Sequence, residues 1–151
     1  MIEEVGFIHL RVHSAYSLLE GALPLAKVLK MAVADDQPAL AITDTGHLFN
    51  ALEFSEKSVE KGLQPIMGCE MALDFSDEPA DKRRVPVHLG FAHELPSVVL
   101  LAATEQGFAN LTVLVSKSYL ETATGERSHL TLDKLEGLSE GIIALTGGPG
   151  G

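Results

Sequence analysis

Four short strings carry the residues that could do chemistry. HLRVHS holds His9 and His13, SLLEGA holds Glu20, ITDTGH holds Asp44, Thr45 and His47, and GCE holds Glu70. Asp, Glu and His gathered at one rim have the composition of a metal-dependent hydrolase site. Glu70 stands out because PIMGCEMAL is otherwise an apolar run, and a carboxylate buried there needs a partner. A plainer reading has Glu70 pairing with Arg11 or Lys27, Asp44 capping a helix that starts near Leu48, and the histidines as ordinary polar residues. No tight metal motif such as HxxEH or HExxH is present, so pattern alone leaves both readings open.

Other candidates are weaker. TGGPGG lacks the lysine and hydroxyl residue of a phosphate-cradling loop. Ser14 and Ser17 lie near His13, but a nucleophile needs a base in contact. Cys69 beside Glu70 reads as a small buried apolar residue rather than a reactive thiol.

Short β-rich runs alternate with helical patterns, and these elements must position the rim. Residues 7–12, 39–43, 65–73, 98–103 and 141–146 read as strands, with ALAIT and VVLLAA continuous enough to be covered on both faces. Helices are expected over 22–34, with Pro24 in the first turn, over 48–61, with Gly62 as C-cap, over 108–120, with Leu111, Leu114 and Val115 inward, and over 132–138. Residues 75–86 carry two prolines and much charge and read as a loop. The alternation implies βαβ units, a parallel sheet, and functional residues at the C-terminal strand ends.

Composition bounds the rest. The 151 residues, 46% of them hydrophobic, suffice for one core, and nothing suggests two domains. Eleven basic against 21 acidic residues leave a formal charge of −10, which repels a phosphate backbone. Lys82, Arg83 and Arg84 form the one basic cluster; after Asp77, Glu78 and Asp81 they read as a solvated loop. A single cysteine allows no internal disulfide. MIEEVGFIHL lacks the positive start of a signal peptide, and no apolar run approaches a membrane span, so no membrane partner and a cytoplasmic location are expected. GIIALTGGPGG ends on a turn after a buried-type strand with no covering helix, which suggests a piece of a longer chain that self-associates through its uncovered strand.

FIHLRVHSAYSLLEGA, ALAITDTGHLFNALEF and QPIMGCEMAL resemble, in order, three motifs of the PHP (polymerase and histidinol phosphatase) domains that open the alpha subunits of bacterial replicative polymerases, DNA polymerase III. GFANLTVLVSKSY and GLSEGIIALTGG continue in register, so the likeness spans nearly the whole chain. The resemblance implies an α/β fold, a PHP-type (β/α)7 TIM-like barrel of which residues 1–151 are roughly the first half, within a single domain of a much longer polymerase.

It also implies a site. Active relatives hold up to three metals with histidines and carboxylates. Of the ligand positions, His13, Glu20 and Glu70 match, Arg11, Thr45 and Ser97 stand where histidines are expected, and Asp44 is adjacent. His47, two residues beyond Thr45, is a poor substitute at a helix start. A guanidinium stays cationic at any accessible pH, so Arg11 would take the place and charge of a metal and pair with Glu20 or Glu70. The resemblance therefore implies a degenerate site, with no metal, cofactor or catalytic residue in this segment. Magnesium and nucleotidyl transfer would belong to the full-length polymerase. Partners would be the rest of the alpha chain, a proofreading exonuclease subunit, and replisome subunits and DNA through the parent. The alternatives are a metal-dependent phosphoesterase, acting as proofreading exonuclease or pyrophosphatase, and a free-standing phosphatase.

Overall fold

The computed structural model describes residues 6–18, 20–75 and 95–146. Pro24, extended at φ −58° and ψ 146°, is the N-cap of α1 (Leu25–Ala34), because its ring presets φ and it lacks the N–H that a helix start leaves free. Leu25, Val28, Leu29 and Ala32 recur at helical spacing and form its buried stripe. The expected start at residue 22 is therefore three residues early. Next come β1 (Ala39–Ile42), buried throughout, and α2 (Ala51–Glu60), which turns Phe54 and Ser58 inward. Gly62 at φ +75° closes α2: its N–H bonds Val59 O and that of Leu63 bonds Ser58 O, the paired bonds of a Schellman turn.

β2 (Gln64–Asp74) is long enough to serve several partners. Residues Gln64 to Met67 pair in parallel with β1, completing the expected β1–α2–β2 unit. Farther along, Gly68 to Ala72 pair with β3 (Ser97–Ala102), and Leu73 and Asp74 with the short β4 (Leu130–Thr131). α3 (Glu105–Leu120) starts where the Thr104 side chain accepts from Gly107 N at 3.0 Å, α4 is Leu132–Leu135, and β5 (Ile142–Thr146) pairs with β3. The path through the sheet is β1-β2-β3-β5.

Further expectations need correction, among them the starts of α2 and α3, which fall at Ala51 and Glu105 rather than at residues 48 and 108. Residues 7–12 run beside β1, with Ala41 N bonded to His9 O and Thr43 N to Val12 O, but they form no strand. Three residues separate the acceptors and two the donors, so no regular ladder register can form. The sheet is also not parallel throughout, since β3 runs antiparallel to both β2 and β5. The fourth helix stops at Leu135 rather than residue 138. The basic cluster Lys82–Arg84, all but the first residue of the 75–86 loop, and the closing glycines lie outside the described residues.

Strand alternation sorts the core. Cys69, Met71, Leu73 and Leu100 lie under α3 with Leu111, Leu114 and Leu130, and Val115 packs at the edge. Val99 and Leu101 cluster with Ala41 on the sheet's other face, and a third cluster joins α1 and α2 to β1. No helix among the described residues is long and apolar enough to cross a membrane.

Candidate functional site

Glu70 follows from that alternation. Its neighbours Cys69 and Met71 go under α3, so Glu70 projects from the sheet's other face, with Val99 its partner in register. β1 has ended by then, and an isolated bridge pairs Thr45 with Glu70. The carboxylate thus stands at the rim where β1 runs out into ITDTGH.

Four donors meet it there. Arg11 Nε donates to Glu70 Oε2 at 2.7 Å and Arg11 Nη2 to Oε1 at 2.9 Å, a two-pronged pair that matches guanidinium to carboxylate. His13 Nε2 donates to Oε2 at 2.9 Å, and Ser97 Oγ to Oε1 at 2.6 Å. Burial works to raise the pKa of Glu70, but the bonds from Arg11, Ser97 and His13 outweigh it and hold the carboxyl at about 2. The same pairing raises Arg11 further above its ordinary value.

Glu20 joins from the other side. Thr45 Oγ1 donates to Glu20 Oε2, and His13 Nδ1 lies 3.6 Å from that oxygen. The six matched and replaced positions therefore form one connected cluster. Each residue standing where a histidine was expected hydrogen-bonds a carboxylate: Arg11 and Ser97 hold Glu70, and Thr45 holds Glu20. Of the two partners the residues allowed for Glu70, Arg11 is the one used.

Asp44 plays a different part. Its side chain is buried and accepts from Ser14 N at 2.7 Å, Ser14 Oγ at 2.8 Å, Ser17 Oγ at 2.7 Å and Asn50 Nδ2 at 2.8 Å. It pins the turn that carries Glu20, which Gly21 completes by packing where a Cβ would stand 1.8 Å from Ser14 O. Thr45 N adds a bond to Ser17 Oγ at 3.1 Å. The expectation that Asp44 caps a helix near Leu48 fails: α2 begins after Asn50, and the buried serines claim the carboxylate. The sequence marks Ser14 and Ser17 only as possible nucleophiles and does not single out Asn50; a small polar residue immediately before Ala51 and Leu52 of α2 is the one signal that points there.

His47 donates from Nε2 to Tyr16 O at 3.2 Å and stacks on Phe49 with ring centroids 4.3 Å apart, so its ring is engaged away from the carboxylates. Burial pushes the Cys69 thiol up to about 12, which keeps it protonated and unreactive.

The chain's own groups already engage this cluster. Both oxygens of Glu70 already accept from a fixed cation, and a second cation beside Arg11 would be repelled. Among the described residues, no three His, Cys, Asp or Glu side chains form a group that could hold a metal ion.

The chain has relatives among known proteins. Residues 9–151 match the family model for the PHP domain. The chain is 37% identical to the DNA polymerase III subunit alpha of Caulobacter vibrioides over 99% of its length, and 36% identical to that of Thermus aquaticus over 97%. It spans 12% of the length of each of these relatives. Among solved structures, an amidohydrolase from Chromobacterium violaceum superposes with a TM-score of 0.51 at 20% identity, over 74% of this chain and 32% of that one. The likeness is one of fold: parallel βα units of a TIM-like barrel, of which this chain supplies the first part.

Proposed function

Because the chain belongs to the PHP domain family, we propose that it is the PHP segment of a bacterial DNA polymerase III alpha subunit and acts there as a scaffold without catalysis of its own. The relatives bear that subunit's name, and the chain accounts for 12% of their length. Template-directed nucleotidyl transfer, with its magnesium, falls to carboxylates beyond residue 151. DNA contacts fall there as well, since a segment of charge −10 repels phosphates. The parent works in the cytoplasm, and this domain supports its fold and offers a docking surface to a proofreading exonuclease subunit.

One observation carries the scaffold reading. The Arg11 fork occupies both oxygens of Glu70, so the cluster is satisfied by the chain itself and has no work left for a metal. Titration calorimetry of the full-length protein with zinc and with manganese, at the concentrations that load active relatives, tests it. The expected result is no stoichiometric binding tighter than about 1 μM, or roughly 8 kcal/mol. Tighter binding, together with phosphoester hydrolysis that Glu70→Gln abolishes, would make the segment a metal-dependent phosphoesterase instead.

A further inference from the structure

α2 presents an apolar stripe to solvent on the face opposite its core. Phe54 and Ser58 face inward, whereas Leu52 and Val59 are 72% and 65% exposed, about two helical turns apart on one face, with Glu56 between them. Phe49, 75% exposed and just before the N-cap, prolongs the stripe at one end. Tyr16 lies alongside, its hydroxyl 3.5 Å from Glu53. Scattered exposed apolar residues need no explanation, but a run of them along one helix face marks an interaction surface.

The surrounding charge selects the occupant. Glu53, Glu56 and Glu60 line the stripe, and Lys57, the helix's one cation, is spent on Glu53 at 2.5 Å. The chain as a whole carries −10. Nucleic acid and anionic lipid are repelled by such a surface, and the same face of a second copy would set glutamate against glutamate. We infer that the Phe49–Leu52–Val59 face of α2 is a docking site for an amphipathic protein helix whose apolar stripe is flanked by lysine or arginine. The pairing is helix against helix, with apolar ridges buried at the centre and opposite charges at the edges. This rests on the docking role proposed above and gives it a place and a chemistry.

The test uses the full-length protein and two synthetic amphipathic helices, each with leucines on one face, one flanked by lysines and the other by glutamates. Fluorescence anisotropy should show the lysine peptide binding at least about tenfold more tightly than the glutamate peptide. Leu52→Ser with Val59→Ser should weaken it by a similar factor while the thermal melt stays in place, because both side chains are exposed. Glu56→Lys with Glu60→Lys should reverse the preference between peptides. Equal binding of both peptides, or binding unchanged in the serine variant, would overturn the site. So would a Leu52→Cys variant that resists maleimide in the full-length protein, since the face would then be covered by the parent chain. A dimer in sedimentation that the serine pair dissolves would assign the face to a second copy instead. Metal binding at the carboxylate cluster would defeat the scaffold reading and leave these results untouched, and a missing peptide interaction without metal binding would do the reverse.

Discussion

Arg11 and Glu70, 59 residues apart in sequence, meet through two parallel hydrogen bonds of 2.7 and 2.9 Å. The arrangement is lopsided: the carboxylate is buried, and the guanidinium side chain is 51% exposed. Losing Arg11 leaves a buried charge with only His13 and Ser97. Because Arg11 is half in water, Arg11→Ala should cost about 1–3 kcal/mol, below the range for a fully buried pair. Urea unfolding checks it, and a variant within error of the parent would make Arg11 an ordinary surface residue.

Arg11→His removes the fixed cation and places a second imidazole at the rim with His13, Glu20 and Glu70. Zinc should then raise its melting temperature relative to a chelator-treated sample, because a ligand of the folded state stabilises it by mass action. The unmutated protein should show no such shift. If zinc moves neither, the rim lacks the geometry of a metal site even with its ligands restored.

The carboxyl of Glu70 sits at about 2 in the folded protein against an ordinary 4.5. A depressed folded value means that the unfolded chain takes up its proton first as pH falls. The contribution is therefore whole above pH 4.5 and is lost as pH drops towards 2. It amounts to at most about 3 kcal/mol by linkage. Glu70→Gln should be less stable than the parent at neutral pH, with the gap closing across that window in denaturant titrations. A gap constant from pH 7 to 2.5 would mean the carboxylate's charge contributes nothing.

Asp44→Ala should cost more than about 3 kcal/mol, because it orphans buried donors on Ser14, Ser17 and Asn50 together. Asn50→Ala removes one amide, whose Nδ2 donates to Asp44 and to Ser14 Oγ, and should cost less because Asp44 keeps its three bonds from Ser14 and Ser17. Unfolding midpoints of the two variants decide it; equal losses would contradict Asp44 as the hub.

β5 pairs with β3 on one edge, and among the described residues no strand covers the other. The 151-residue chain expressed alone should self-associate through this apolar edge, more so at higher salt, where repulsion between chains of charge −10 is screened. Sedimentation across concentration and salt tests it, and a monomer under all conditions would show that the edge is closed.

Much of this was legible in the sequence because it is local. Pro24, the spacing of Leu25, Val28, Leu29 and Ala32, and Gly62 mark helix ends and faces through backbone sterics and period alone. Glu70 in an apolar run announced a buried charge needing a partner, and Arg11 was among the partners the residues allowed. Whole motifs pointed to the family. Pairing direction and long-range partners were not local. With every strand parallel, Ser97 at the start of β3 would sit at the sheet's far end from the rim. Because β3 runs antiparallel, its first residues lie beside the end of β2, and Ser97 reaches Glu70 Oε1 at 2.6 Å. Likewise ITDTGH offered Asp44 a helix to cap, and only the folded chain set Ser14, Ser17 and Asn50 around it. The sequence by itself determined that four helices form, roughly where they lie, and which charge had to be neutralised; the tertiary structure decided their ends and what neutralises that charge, because strand direction and side-chain convergence depend on contacts that no local pattern encodes.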